Sequence, residues 1–183
     1  MKVEATPLKD CFVLHNTVFR DERGYFFESF NRQTFRKITG LDVDFVQDNQ
    51  SKSQYGVLRG LHFQTGGHAQ AKLVRVLEGE VLDVAVDIRK ESPTFGQHFS
   101  LLLSEHSDTQ LFLPRGFAHG FVVLSETATF FYKCDNYYHK ESEGGIAYND
   151  PELAIDWKVE AGSVILSEKD RHNPTLKEYR NSL

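Results

Sequence analysis

Sulfur is scarce in this chain. Only two cysteines, Cys11 and Cys134, occur among 183 residues. They are too few and too isolated for a disulfide framework, and no Cys-x-x-Cys is present, so a reducing, cytoplasmic setting is expected. No apolar run approaches the roughly 18 residues of a membrane helix, and the amino terminus carries no apolar signal core, so neither membrane spanning nor export is indicated. There is no Gly-x-Gly-x-x-Gly and no Walker pattern, which argues against a dinucleotide cofactor or a P-loop. Positive charge is in deficit: the formal net charge of −5 speaks against a nucleic-acid partner, and any anionic ligand must be met by a few placed cations.

What is present reads as β-structure. Aromatics make up 13% of the chain beside one Met and one Trp, which suggests a β-rich core. Short strand-like pieces at 11–14 and 24–30 flank the turn Asp21-Glu22-Arg23-Gly24. One helix is predicted over 32–39, with Asn31 as N-cap and Gly40 past its end. From there strands recur at 45–50, 57–64, 72–78, 80–88, 98–104, 110–114, 120–124, 127–135 and 163–166, and Glu78-Gly79-Glu80 reads as a hairpin reversal. Without intervening helices, linkers or repeats, this rhythm predicts one all-β domain over 1–183, a double-sheet jelly roll or similar barrel with short peripheral helices.

The chemistry gathers around Gly56-Val57-Leu58-Arg59-Gly60-Leu61-His62-Phe63-Gln64. Strict alternation sends Arg59 and His62 to opposite faces. They converge only if the strand is irregular, and Gly60 is where a bulge is expected. A core histidine beside a surface arginine is the plainer reading. Lys72 is either an ammonium among apolar neighbours or a strand-edge guard in water. Asp83, alternating with Val81 and Ala85, is either solvated sheet surface or the partner of an interior cation. The stretch Leu113 to Phe121 reads as a loop presenting Arg115 and His119. Tyr132 and Tyr138 are an acid and a stacking platform, or amphipathic core residues. Asp170 is a turn former or a carboxylate that orients a histidine. Since Phe63 and Gln64 follow His62, the His-x-His step of metal-binding cupins is lacking, and no metal is expected.

Taken in order, Phe19…Arg23-Gly24-Tyr25-Phe26…Glu28, Gln47-Asp48-Asn49, Val57 to His62, Lys72 to Val76, Ser92-Pro93-Thr94-Phe95-Gly96, Pro114 to Phe121 and Asn149-Asp150-Pro151 resemble the dTDP-4-dehydrorhamnose 3,5-epimerase family. The resemblance runs from about residue 3 to 175. It implies a cupin-type jelly roll and a homodimer that exchanges amino-terminal strands, about 1–30. It also implies an enzyme that uses no metal or nucleotide cofactor on a dTDP-4-keto-6-deoxyhexose, inverting C3 and C5 of dTDP-4-dehydro-6-deoxy-D-glucose to give dTDP-4-dehydro-L-rhamnose.

By the same resemblance His62 is the base, Asp170 its partner, Lys72 the donor to the enolate oxygen and Tyr132 the acid. Arg59 and His119 meet the diphosphate and sugar. Arg23, Glu28, Gln47, Asp48 and Asn49 go to the nucleotide end, Tyr138 stacks on the base, and Phe19, Glu143 and Lys169 are further substrate contacts. Some of these come from a partner chain. Tyr148, where the family often has Trp, and the loop Thr65-Gly66-Gly67-His68 depart from its pattern and bear on substrate fit. A relative that inverts one centre, or a jelly roll that binds a nucleotide sugar without converting it, are the rival readings.

Overall fold

A computed structural model of the chain describes residues 1–183, the side chain of Ala161 excepted. In chain order the elements are β1 (Lys2–Ala5), β2 (Phe12–His15), β3 (Phe19–Asp21), β4 (Gly24–Phe26), α1 (Arg32–Thr39), β5 (Gln47–Gln54), β6 (Leu58–Gln64), β7 (Lys72–Glu78), β8 (Glu80–Asp87), β9 (His98–Ser104), β10 (Thr109–Leu113), β11 (Phe117–Val123), β12 (Thr127–Cys134), β13 (Glu143–Gly145) and α2 (Leu176–Asn181). They form a six-stranded sheet, β1-β2-β10-β7-β12-β5, and a five-stranded sheet, β13-β6-β11-β8-β9, with β3-β4 apart as a hairpin. The strand rhythm thus led to the right class, a double-sheet all-β fold with short helices. No helix among the described residues is long and apolar enough to cross a membrane.

Alternation along β8 explains the layering. Val81 and Ala85 turn inward and join Val74, Val76, Leu111, Phe121 and Phe130 in a core between the sheets. Leu82, Val84 and Val86 turn outward, where Ile146, Leu153, Trp157 and Leu176 of the C-terminal segment cover them. Asp83 therefore lies on the inner face and is fully buried, not solvated sheet surface. On the far side of the six-stranded sheet, Leu14, Leu73 and Phe112 pack under Phe35 of α1.

Local chemistry sets the helix ends. Asn31 Oδ1 accepts the Thr34 N–H at 3.0 Å, and Gly40 closes α1 at φ 75°, as expected. α2 was not expected, although Thr175 and Glu178 form a capping box that opens it. The turn at Gly79 is not a hairpin: β7 and β8 lie in different sheets, so this glycine, at φ 77°, carries the chain from one layer to the other. The stretch 163–166 is not a sheet strand. It makes one isolated parallel bridge, Ile165 to Val57, which ties the following residues to the start of β6.

Of the first thirty residues, β1 pairs with β2 and β2 with β10 of the same chain. Only β3-β4 stands outside both sheets, with Phe19, Tyr25 and Phe26 exposed by 64%, 62% and 69%.

Candidate active site

A bulge brings the two central side chains together. β6 pairs with β11 as His62↔His119 and then as Arg59↔Phe121, so three residue steps on one strand span two on the other. One extra residue reverses the side-chain alternation beyond it. Gly60 fits this: its φ is 135°, and a Cβ there would lie 2.5 Å from the Gly120 Cα. Arg59 and His62 consequently line the same cavity of about 460 Å³, while Leu61 and Phe63 go to the core behind them.

This cavity opens between the sheets. The five-stranded sheet supplies Arg59, His62 and His119; the six-stranded sheet supplies Asn49, Lys72 and Tyr132; Lys169 and Asp170 come from the C-terminal segment. His62 Nε2 lies 2.5 Å from Asp170 Oδ1, with Asp170 buried. Burial pushes the Asp170 carboxyl up, but hydrogen bonds from His62, the Ser167 hydroxyl and the Gly60 N–H favour the anion and hold it below the ordinary carboxylate range. With Nε2 engaged, Nδ1 is the ring nitrogen free to exchange a proton. His119 Nε2 lies 2.8 Å from Asp83 Oδ2, and its ring stacks on Phe130. Arg59 Nε donates to Ser53 Oγ at 3.1 Å.

Across the cavity, enclosure sets the proton chemistry. Burial lowers the pKa of Lys72, opposed by Cys134, Asp83 and Glu143; its Nζ stands 5.8 Å from the centre of the Tyr132 ring. Burial raises the Tyr132 phenol, so it keeps its proton through neutral pH. Cys134 is pushed up to about 11 by burial and stays a thiol. Among the described residues, no three His, Cys, Asp or Glu side chains converge as metal ligands would. A base with an orienting carboxylate, an ammonium and a phenol around one polar cleft can remove a proton beside a carbonyl, hold the resulting oxyanion and return a proton.

The remaining expected residues fall into two groups. Gln47 Nε2 donates to Asn49 Oδ1 and its Oε1 accepts the Tyr138 N–H, while the Tyr138 hydroxyl donates to Glu143, which pairs with Lys169. These form a polar chain running from β5 to Lys169 at the cavity wall. Others are not brought to the cavity. Asp48 alternates to the outer face of β5 and pairs with Lys133 at 2.8 Å. Phe19 and Arg23 sit on the exposed hairpin, where Arg23 pairs with Asp21, and Glu28 accepts from Asn31. His119 is on a strand rather than a loop, and Arg115 leaves the site to pair with Asp135. Tyr148 packs against the outer core, away from the cavity, and His68 of the 65–68 loop stacks on His139. Ser51 and Ser167 line the cleft and Ser53 holds Arg59, and no motif in the sequence marks these three. An eight-residue strand without one apolar side chain, Gln47 to Gln54, was the available sign that β5 lines a polar cleft.

The sequence profile described as dTDP-4-dehydrorhamnose 3,5-epimerase matches residues 5–178. The chain is 56% identical over 176 residues to the Salmonella typhimurium dTDP-4-dehydrorhamnose 3,5-epimerase, covering 96% of each chain. Its fold superposes on the crystal structure of the Elizabethkingia anophelis dTDP-4-dehydrorhamnose 3,5-epimerase with a TM-score of 0.94 at 60% identity, covering 97% of both chains. It also superposes on the Legionella pneumophila dTDP-6-deoxy-D-glucose-3,5-epimerase in complex with dTDP-4-keto-L-rhamnose, with a TM-score of 0.92 at 49% identity, covering 96% of this chain and 93% of that one.

Proposed function

The chain belongs to the dTDP-4-dehydrorhamnose 3,5-epimerase family, and we propose that it inverts C3 and C5 of dTDP-4-dehydro-6-deoxy-D-glucose, giving dTDP-4-dehydro-L-rhamnose. The observation that carries this reading is that His62 and Tyr132 stand on opposite sheets and line one cleft. A sugar ring held between the sheets would meet a base on one side and an acid on the other, which is what inversion of a carbon requires.

The steps follow from the groups present. His62 takes the proton from the carbon beside the C4 ketone, and the electron pair moves to the ketone oxygen. Lys72 donates to that enolate oxygen; a donor of this kind is worth about 3–4 kcal/mol of transition-state stabilisation. Tyr132 then returns a proton to the opposite face of the carbon. Asp170 fixes the ring orientation of His62 and stabilises the imidazolium that forms. Arg59 suits the diphosphate, since a guanidinium can meet two phosphate oxygens at once, and Asn49, Gln47 and Tyr138 serve the nucleoside.

Phe19, Arg23 and Glu28 need a second copy in this reading. The hairpin β3-β4 exposes three aromatic rings, Phe19, Tyr25 and Phe26, and is free of both sheets. In a homodimer it would reach the cleft of the partner subunit. Incubation with the dTDP-4-keto sugar in D2O, followed by NMR, tests the function. Deuterium with inversion at C3 and C5 is expected. Incorporation at one carbon would make this a single-centre epimerase, and none at either would leave only a binding protein.

A further inference from the structure

Asp83 is a carboxylate in the middle of an apolar strand, with Val81 and Ala85 beside it in the inter-sheet core and no exposed surface of its own. One oxygen, Oδ2, meets His119 Nε2 at 2.8 Å; the other, Oδ1, is buried without a hydrogen-bond partner among the described residues. A buried charge left with half its acceptor capacity unused is costly, so its retention calls for a task.

Lys72 presents the complementary deficit. Among the described residues it makes no ion pair, although it lines the cleft that His119, the partner of Asp83, also lines. The groups that act on it are Cys134 from β12, Asp83 from β8 and Glu143 from β13, with the Tyr132 ring near its Nζ. Arg59, His62 with Asp170, His119 and Lys169 line the rest of the cleft. Cys134 is an uncharged thiol at neutral pH, its pKa pushed up to about 11 by burial. Glu143 is committed to Lys169 and Tyr138. Asp83 is the acidic side chain that remains.

We infer that Asp83 is a positioning residue: its carboxylate holds His119 through Nε2, turning Nδ1 to the cleft, and supplies the countercharge for the Lys72 ammonium that receives the enolate oxygen. The inference rests on the reaction proposed above. Burial lowers the Lys72 pKa and Asp83 works against that lowering. Without the Asp83 charge, Lys72 loses its proton at lower pH and the oxyanion loses its donor. Burial pushes Tyr132 the other way, upward, so a basic limb that moves down on removal of the Asp83 charge reports on Lys72.

The test is Asp83→Asn, which keeps an acceptor for the His119 N–H and removes the charge. Deuterium wash-in at C3 and C5 is followed against pH in wild type and variant. The basic limb of kcat is expected to move down by roughly one pH unit, with KM changed by less than about threefold because no substrate contact is removed. A uniform fall in rate with an unmoved limb overturns the inference. Should the variant not fold, the wild type decides through 15N NMR of His119: a proton on Nε2 is expected, and a bare Nε2 overturns it. His62→Asn separates the two levels of failure. If wild type exchanges, His62→Asn does not, and Asp83→Asn keeps the wild-type limb, only the role of Asp83 falls; if wild type itself does not exchange, the proposed reaction falls.

Discussion

His62 and His119 face each other as paired residues of β6 and β11, and each turns Nε2 to a buried carboxylate, Asp170 at 2.5 Å and Asp83 at 2.8 Å. The two dyads differ in access. The His62 side chain is 30% exposed and that of His119 only 7%. A ring that must receive a proton from a substrate carbon and trade it with water needs the more open position, which supports His62 as the base of the proposed reaction and an orienting, binding part for His119.

His62→Asn is accordingly expected to lower deuterium exchange at C3 and C5 together by about 100-fold or more, the scale of a lost general base, while dTDP still binds. Proton NMR in D2O and calorimetric titration with dTDP check both halves. Exchange surviving at one carbon would mean that two bases serve the two centres.

Asp170→Asn tests the partner carboxylate in activity and in stability. Activity should fall by about 10²–10⁴-fold, since the amide cannot stabilise an imidazolium. For stability the sign follows from the depressed carboxyl of Asp170. A group whose folded pKa lies below its unfolded value adds stability above the unfolded value and loses it as pH falls through the folded one. The gap in Tm between wild type and variant should therefore be widest near neutrality and close as the pH drops below about 5. A gap independent of pH would show that the loss is steric.

The geometry of Gly60 predicts a fold-level effect with a catalytic consequence. A methyl group there, at φ 135° and 2.5 Å from the Gly120 Cα, must displace backbone. Gly60→Ala should lose more than the roughly 1–3 kcal/mol of a strained residue, read by denaturant unfolding, and should weaken dTDP binding and exchange alike because Arg59 and His62 no longer converge. A variant of unchanged stability would sink the role given to the bulge.

Much of this was legible in the sequence, for physical reasons that also mark where legibility stopped. Alternation and turn residues reveal strands because side-chain direction is local, so β6, β7, β8, β9 and β12 lie close to where the pattern puts them. Gly60 announced the irregularity that joins Arg59 to His62. Gly79 misled because a glycine turn looks the same whether the next strand pairs with the last one or crosses to another sheet. Asp83 was ambiguous for a related reason: a strand's alternation distinguishes two faces but not which is wet, and that depended on Ile146 to Leu176 folding over the outer one. The fates of Asp48 and Arg115 depended on salt-bridge partners far along the chain, Lys133 and Asp135, which no local pattern names.

Prolonged chelation should leave the rate of epimerisation unchanged, because Lys72 supplies the positive charge at the ketone oxygen in the proposed reaction. The check is activity after dialysis against EDTA with and without added zinc or iron. Loss of activity that metal restores would replace Lys72 as the electrophile.

Tyr132→Phe separates the base from the acid. The phenol lies on the sheet opposite His62, and burial keeps it protonated. Its loss leaves proton removal possible and takes away the proton donor on the far face. The enolate still forms, its oxygen held by Lys72, and in the proposed reaction the proton aimed at the carbon is then the one on His62, on the face it left. An imidazolium trades its proton with solvent, so deuterium should enter the unreacted sugar with retained configuration. Exchange is expected to outrun epimerisation by about 10-fold or more, with epimerisation itself lowered by about 10²–10⁴-fold. Both rates are read from one sample in D2O by NMR. Equal, severe loss of exchange and inversion would make Tyr132 structural or the base itself, and undiminished epimerisation would give the acid's part to another group in the cleft, since inversion without a donor opposite His62 requires some other proton on that face.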